Sequence, residues 1–501
     1  MTPQAARLEA LFSFQGVAAA ALIYAAANAG LTLAAGPALA LDDVKLNVLA
    51  QSLEGGYLPD NPPLFEWTLY VAQRVLGPTL ASFVTVKSLF LVTTAAFTYL
   101  AAKEASGDKR LAATAALALP LIPQFGWNFH QTLTHSTALF AATAFFWFAL
   151  LRLERRRRAF DYALLGLAIG AGFLSKYSFL AAAAAALLAA MLHAPLRAAL
   201  LSPRIVLTAL AAGAAAAPHL LWAASADLQT AEMLHDRLAD KGGHLTRAIE
   251  GLGAVFWAAV SFLAPAAILA VAAARRDIRT LFASGRDLFS DAAMIALGGL
   301  AAAVAGFGLA NFQERYAIPF LYPAFLWLIA TVFRSIASAG GVRAFPVASF
   351  ALVIAFTGAR AVETVRPGDP FCDNCRQYIP YTYLQQPLSA LGAEEATLVG
   401  FDDHTAGNLR RLFPGARVLS AHLPSYAPPA PSGPGDCYFI WSPALTSPDS
   451  SAIAQMDQSK IVQAGGPWAR KMSGERQART TQWLLVPLAP ESPIGAALCR
   501  F

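Results

Sequence analysis

Long stretches without formal charge alternate with short charged segments through the first 362 residues of the chain. Residues 10–41 and 111–151 contain no formal charge, and residues 162–196 contain only Lys176. A transmembrane helix needs about 20 mostly apolar residues, so the second and third stretches have room for two helices each. We therefore predict about eleven spans. Their ranges are 10–41, two within 111–151, two within 162–196, and 80–102, 205–223, 251–273, 292–311, 316–333 and 344–362.

The composition supports a chain that is solvated mainly by lipid. Charged residues make up 14% and hydrophobic residues 56% of the sequence, whereas soluble proteins carry about 25% charged residues. The formal net charge of +6 is small and is not gathered on a soluble module with interleaved aromatic residues. The sequence therefore does not indicate a nucleic-acid partner.

We predict that the apolar segment at the start of the chain is a transmembrane helix and not a signal peptide. Ala38-Leu39-Ala40 resembles a signal-peptide cleavage site, but the apolar run before it is longer than the core of about 7–15 residues found in such peptides.

The distribution of basic residues predicts the orientation of the spans. With a cytoplasmic N-terminus, the five cytoplasmic loops hold 16 Lys and Arg residues, whereas the longer outer loops hold about seven. The run Arg155-Arg156-Arg157-Arg158 lies in one of those cytoplasmic loops. Cytoplasmic loops are enriched in Lys and Arg, so we predict a cytoplasmic N-terminus, with the basic run facing anionic lipid. The composition is rich in Ala and Arg, which suggests a GC-rich bacterial genome, and the expected location is then the inner membrane. An odd number of spans places residues 363–501 on the periplasmic side.

Beyond residue 362 the composition changes, and we predict a small α/β domain over 363–501 after a membrane domain over 1–362. Short apolar runs typical of strands occupy Thr397–Phe401, Ala416–Ser420, Tyr438–Trp441 and Trp483–Val486, and 408–412 can lie on a helix. The first outer loop, 42–79, contains an amphipathic stretch over 44–79.

All four cysteines, Cys372, Cys375, Cys437 and Cys499, lie in this C-terminal region. The spacing of the first two fits a redox motif, half of a zinc site or a disulfide. Outside the cytoplasm disulfides are the usual state, and we favour Cys372–Cys375 with Cys437–Cys499, although four cysteines allow three connectivities.

Charged residues at the predicted outer surface are the candidates for chemistry. Asp42 and Asp43 follow the first span, where they can cap the next helix or act as a general base. Lys87, Lys176 and Arg315 lie near span ends on the same predicted side. Such lysines can snorkel to the interface, but three cations beside a carboxylate pair suggest a site for a phosphate. A lipid or glycan transporter also fits this pattern, although no internal repeat is evident.

Six short motifs in this order resemble the C-superfamily membrane glycosyltransferases, especially family 39 and the related aminoarabinose and protein mannosyl transferases. The resemblance covers about residues 10–335. The motifs are Asp42-Asp43, Pro62-Pro63-Leu64-Phe65-Glu66-Trp67, Thr134-His135-Ser136, Leu174-Ser175-Lys176-Tyr177-Ser178, Pro218-His219-Leu220-Leu221-Trp222, and Glu314-Arg315-Tyr316 with Pro319.

The resemblance implies an enzyme that takes a sugar from a polyprenyl-phosphate carrier and transfers it with inversion to a lipid, glycan or protein acceptor. Asp42 is then the first candidate base and Asp43 the second, while Lys87, Lys176 and Arg315 bind the donor phosphate. No cofactor is required, and a divalent metal is optional. Many relatives carry an Asp where Thr134-His135-Ser136 stands here. His130 and His135 are therefore possible substitutes for that residue, and Glu314 and Tyr177 are further accessory candidates. The outer-loop stretch 44–79 is then expected to form helices that lie on the membrane surface. A transporter and an inactive envelope-assembly partner are the alternatives.

Overall fold

The computed structural model describes residues 10–36, 38–131, 133–225, 243–274, 287–336, 344–368, 372, 374–430, 436–454, 456–468, 470–489 and 491–499. In chain order the helices are α1 Phe14–Ala35, α2 Asp42–Leu49, α3 Leu64–Leu76, α4 Leu80–Ser106, α5 Lys109–Leu117, α6 His135–Arg156, α7 Ala159–Ser175, α8 Ser178–Leu192, α9 Ala194–Leu200, α10 Ile205–Ser225, α11 His244–Ala274, α12 Leu288–Phe307, α13 Glu314–Ile336, α14 Ala344–Val365, α15 Gln385–Ala390, α16 Asp403–Leu412, α17 Ser450–Ala454 and α18 Pro493–Cys499. The strands are β1 Thr397–Gly400, β2 Arg417–Ser420, β3 Cys437–Trp441, β4 Val462–Pro467 and β5 Thr480–Leu488.

Eight of these helices are long and apolar enough to cross a membrane, namely α1, α4, α6 and α10 to α14. A ninth candidate is the pair α8 and α9, which is bent by 117°, and α7 is a shorter apolar helix. The count within the described residues is thus lower than the predicted eleven. Part of the difference lies in 111–151, where two spans were predicted and the first of them ends early, at the end of α5. A 3₁₀ turn at Leu119–Leu121 and a π-helical turn at Gln124–Asn128 follow it, next to Pro120 and Pro123, which lack the backbone N–H that a regular helix needs.

The described residues form two compact units. The first comprises residues within 1–27, 59–64 and 87–356. Its core holds buried aromatic side chains of the long helices, such as Phe140, Trp147 and Tyr162. Gly166 and Gly170, one turn apart on α7, allow α10 to approach closely, because a Cβ on Gly170 would lie 2.7 Å from the Ala215 Cβ. Small residues at this spacing are typical of helix packing in membranes.

The second unit comprises residues within 28–58, 65–86 and 357–501. Its sheet has the strand order β2-β1-β3-β5-β4. β1 pairs in parallel with β2 and β3, and β5 pairs antiparallel with β3 and β4. α16 is the connection between the parallel strands β1 and β2, and it packs on α2.

The small sheet near the C-terminus matches the predicted α/β region, and the four predicted strands correspond to β1, β2, β3 and β5. β4 was not predicted, because it is largely exposed and contains Gly465 and Gly466, and glycine is depleted in strands. The division at residue 362 stays a prediction. Disulfide bonds join Cys372 to Cys375 and Cys437 to Cys499, with S–S distances of 2.10 and 2.05 Å.

Candidate active site

Two of the predicted phosphate-binding cations lie on the same aromatic ring in the first unit. Lys176 stands at the break between α7 and α8, where its extended backbone ends the first helix. Its Nζ lies 4.8 Å from the centre of the Tyr316 ring and donates a hydrogen bond of 3.2 Å to Ser136 Oγ. The Arg315 guanidinium carbon lies 5.7 Å from the same ring centre. The structure therefore brings Lys176 and Arg315 together.

The guanidinium of Arg315 retains hydrogen-bonding capacity. Its Nε is buried and has no hydrogen-bond partner among the residues that the structure describes. A buried donor without a partner is energetically unfavourable, and an arginine has five N–H groups that match the oxygens of a phosphate. An anionic ligand at this position would satisfy that donor.

A short polar network holds the residue that precedes Arg315. Glu314 is the first residue of α13, and its Oε2 accepts a hydrogen bond of 2.5 Å from Gln124 Nε2. Gln124 Oε1 in turn accepts one of 2.7 Å from Asn128 Nδ2. A carboxylate is favourable at a helix N-terminus. The network thus fixes the first turn of α13 and with it the backbone of Arg315, which is the structural role we assign to Glu314.

Tyr177 belongs to a stack of aromatic rings beside Lys176. Its hydroxyl lies 2.9 Å from His219 Nε2, and the His219 ring stacks on Trp222 with 5.5 Å between ring centres. Burial raises the pKa of Tyr177 to about 12, and the negative charge of Asp60 contributes to the rise. Tyr177 therefore stays protonated at neutral pH, and it can donate or accept a hydrogen bond but is not a base.

Three further candidate residues of the first unit are His130, His135 and Lys87. His130 is buried, and its Nε2 lies 2.5 Å from the Tyr24 hydroxyl. His135 begins α6 and lies next to Ser136, the partner of Lys176, while Lys87 is buried on α4. Within the part of the chain that the structure describes, no group of three or more His, Cys, Asp or Glu residues could hold a metal ion.

The acidic pair lies in the second unit as the first two residues of α2. The Asp42 side chain is exposed, whereas Asp43 is only 4% exposed. Leu41, directly before them, has φ 54° and ψ −127°, a conformation that is strained for a residue with a side chain. Strained backbone is found disproportionately at functional sites. The exposed Asp42 can reach a substrate, while the role of each carboxylate stays a prediction.

Two carboxylates received no role in the sequence analysis although they lie in or beside a quoted motif. Glu66, in the first turn of α3, is 2% exposed. Burial raises the pKa of Tyr57, and the charge of Glu66 contributes to that rise. In the first unit, the charge of Asp60 likewise contributes to the raised pKa of Tyr177. The sequence signal was available, because Glu66 is a charged residue between Phe65 and Trp67 in an otherwise apolar segment.

Comparison with known proteins extends this picture. The family model of dolichyl-phosphate-mannose-protein mannosyltransferases matches residues 60–222. Lipopolysaccharide core galacturonosyltransferase RgtB of Rhizobium johnstonii is 28% identical over 410 residues, which cover 81% of this chain and 83% of RgtB. RgtA of the same organism is 28% identical over 85% of this chain and 87% of RgtA.

Solved structures show the same fold. The crystal structure of ArnT from Cupriavidus metallidurans bound to undecaprenyl phosphate superposes with a TM-score of 0.58 at 13% identity, covering 93% of this chain and 97% of ArnT. The apo form gives the same TM-score at 15% identity, covering 96% and 98%. The ArnT structures share the fold, and the mannosyltransferase family model together with the two galacturonosyltransferase relatives supports a membrane glycosyltransferase.

Proposed function

We propose that this glycosyltransferase moves a hexuronic acid, with galacturonic acid as the first candidate, from a polyprenyl-phosphate carrier to the lipopolysaccharide core. Two relatives that match more than four fifths of the chain carry out galacturonosyl transfer to that core. The structural neighbour ArnT was solved with undecaprenyl phosphate, which supports a carrier of the same chemical class. Lipid A, other envelope glycans and proteins are the competing acceptors.

The observation that carries the proposal is the pair of cations on Tyr316. Lys176 and Arg315 converge on one ring, and the Arg315 Nε is a buried donor without a hydrogen-bond partner among the described residues. A phosphate would accept hydrogen bonds from both side chains. Charge-assisted hydrogen bonds of this kind are about twice as strong as neutral ones. Lys87 is a third, buried candidate for the same role.

The proposed reaction is a single displacement at the anomeric carbon. An acceptor hydroxyl oxygen attacks that carbon, the bond from the carbon to the phosphate oxygen breaks, and the configuration inverts. The hydroxyl proton passes to Asp42, or to Asp43 if Asp42 only orients the acceptor. The polyprenyl phosphate leaves with the bonding electrons, and Lys176 and Arg315 stabilise the charge that develops on it.

The proposed topology places this chemistry on the periplasmic side of the inner membrane. The excess of Lys and Arg in alternate loops supports a cytoplasmic N-terminus. With an odd number of spans, the sheet-containing C-terminal region is then periplasmic, where disulfides persist. The two bonded cysteine pairs agree with that compartment.

The test is reconstitution of the purified chain in liposomes with lipopolysaccharide core that lacks galacturonic acid. Polyprenyl-phosphate-linked galacturonic acid is the donor, and mannose- and aminoarabinose-linked carriers and a nucleotide-linked galacturonic acid are compared with it. Mass spectrometry of the core is expected to show one added hexuronic acid from the carrier-linked donor alone. Transfer of a different sugar would correct the substrate. Absence of transfer from every carrier-linked donor, to the core, lipid A and envelope proteins alike, would refute the proposal.

A further inference from the structure

The helix that carries the acidic pair is too short to hold its own position. α2 has eight residues, from Asp42 to Leu49, and isolated helices shorter than about 12–15 residues are marginal in water. We propose that α16, a helix of the C-terminal sheet region 360 residues later in the chain, positions α2 and thereby aims Asp42 and Asp43 at the acceptor. This inference rests on the proposed function of the carboxylates.

Arg410 on α16 holds the C-terminal end of α2. It donates hydrogen bonds to the carbonyl oxygens of Asn47 and Ala50, the latter at 2.9 Å. These are among the carbonyls that a helix leaves without an internal partner, and a cation at this end also complements the helix dipole. Arg410 is 7% exposed. Burial lowers the pKa of its guanidinium to about 10, so the group remains charged at neutral pH.

Asn408 holds the chain just before α2. Its Oδ1 accepts a hydrogen bond of 2.9 Å from the Leu39 N–H, and its Nδ2 donates one of 3.1 Å to the Leu39 carbonyl. The side chain thus satisfies both backbone groups of a residue two positions before the strained Leu41. Strain of that kind persists only where the surroundings over-determine the conformation, and Asn408 on one side and the contacts of α2 on the other supply such constraints.

Gly407 lets the two helices touch along their middle. A Cβ on Gly407 would lie 2.6 Å from the Val44 Cα, closer than real Cβ atoms approach backbone. The Gly407 carbonyl also accepts a hydrogen bond of 2.8 Å from Asn47 Nδ2. The position therefore requires glycine, and any larger residue must displace α2.

Further hydrogen bonds from the C-terminal region hold the end of α2 and the residues directly after it. Gln51 pairs with both backbone groups of Val418 on β2, accepting from its N–H at 2.9 Å and donating to its carbonyl at 2.8 Å. The Tyr426 hydroxyl donates a hydrogen bond of 2.8 Å to the Leu49 carbonyl. The segment from Leu39 to Gln51 is thus bound at both ends and in the middle by residues of α16, by β2 and by Tyr426.

The experiment uses the full chain in liposomes and two readouts, amide hydrogen exchange of α2 and transfer kinetics. The test variants are Gly407→Ala, which adds one methyl group and changes no charge, and Arg410→Ala. The matched controls are Arg479→Ala, whose arginine pairs with Glu475, and Gly415→Ala, where a Cβ would come no closer than 3.2 Å to the Glu394 carbonyl. Arg410→Lys tests rescue, because lysine retains donors for the two carbonyls.

Both test variants are expected to speed exchange of the α2 amides while β1 and β3 keep the exchange rates of the unaltered chain. They are also expected to lower kcat by about 10- to 100-fold, as small misplacements of catalytic groups do, with little change in the KM for the carrier. The controls should match the unaltered chain, and Arg410→Lys should recover part of the lost kcat. A lower kcat with faster exchange in α2 alone indicates a loss of positioning. General destabilisation would instead lower the fraction of folded, active protein and would also speed amide exchange in the sheet.

The possible results separate the inference from the function on which it rests. Unchanged α2 exchange in Gly407→Ala and Arg410→Ala would overturn the inference, and so would faster α2 exchange with unchanged kcat. If the unaltered chain transfers no sugar, the proposed function fails, and the exchange measurement still decides whether α16 holds α2. If Gly407→Ala loosens the whole sheet, the comparison of Arg410→Lys with Arg410→Ala decides in its place.

Discussion

Replacement of Arg315 by glutamine tests the phosphate site most directly. The substitution keeps a polar side chain on the first turn of α13 but removes the charge and the guanidinium fork. Arg315 lies on the Tyr316 ring with Lys176, and its Nε is buried. A hydrogen bond to a charged group contributes about 1.5–3 kcal/mol. Since 1.4 kcal/mol is about tenfold, loss of one such bond should lower kcat/KM by about 10- to 150-fold.

The same substitution should have a different effect on the protein without substrate. Two cations at one ring repel each other, so the unliganded Arg315→Gln protein should be at least as stable as the unaltered chain. Addition of undecaprenyl phosphate should raise the melting temperature of the unaltered chain more than that of the variant, because at a given concentration a ligand that binds more tightly stabilises the folded state more. Arg315→Lys keeps the charge without the fork and should fall between the two.

The assay combines steady-state transfer from the carrier-linked sugar with melting curves in detergent over a range of undecaprenyl phosphate concentrations. Arg204→Gln is the matched control, because Arg204 is an exposed arginine that donates to the Arg157 carbonyl. Arg315→Gln with unchanged kcat/KM and unchanged ligand stabilisation would refute the assignment of the donor phosphate to this cluster. If the unliganded variant were instead destabilised enough to account for its lower kcat/KM, Arg315 would be a structural residue.

Three further predictions follow from single groups. Asp42→Asn should lower kcat by about 10²- to 10⁴-fold, the usual contribution of a general base, while undecaprenyl phosphate still raises the melting temperature; full activity would remove Asp42 from the mechanism. Burial lowers the pKa of His404 from 6.5 to about 4, so the folded C-terminal region should lose about 3 kcal/mol of stability as the pH falls from above 6.5 to 4. Acid titration of unfolding in the unaltered chain and His404→Phe checks this, and an unchanged slope in the variant would contradict it. Replacement of Cys437 and Cys499, which lie 62 residues apart, by serine should lower the free energy of unfolding by about 4 kcal/mol through loop entropy. The same change at Cys372 and Cys375, 3 residues apart, should lower it less, and denaturant unfolding curves of the two variants measure the difference.

The sequence predicted those features that depend on local patterns. The break at Lys176 was evident because one charge interrupts an apolar stretch, and the C-terminal strands were evident as short apolar runs. The partners of Lys176 were not predictable, since Ser136 and Tyr316 reach it only through the packing of α6 and α13. The early end of the span after α5 depends on how Pro120 and Pro123 are accommodated, which periodicity does not reveal.

The contacts of α2 show a second limit of sequence reasoning. Asp42-Asp43 was recognisable as a candidate from its place after the first span. The support for this pair was not recognisable, because Gly407, Asn408 and Arg410 lie in a short stretch that resembles an ordinary exposed helix in a separate tail. Only the structure shows that this stretch faces α2. The role that we propose for this stretch is therefore to hold the candidate carboxylates in position.

The chemistry of the leaving group explains why cations would be placed around this substrate. The carrier-linked sugar is a phosphodiester with one negative charge, and the departing polyprenyl phosphate gains most of a second charge as the bond to the sugar breaks. In the proposed site, Lys176 and Arg315 would therefore interact more strongly with the transition state than with the bound donor. Interactions of that kind raise kcat as well as affinity. It follows that loss of either cation should reduce kcat more than it weakens donor binding, and should also weaken inhibition by the released carrier.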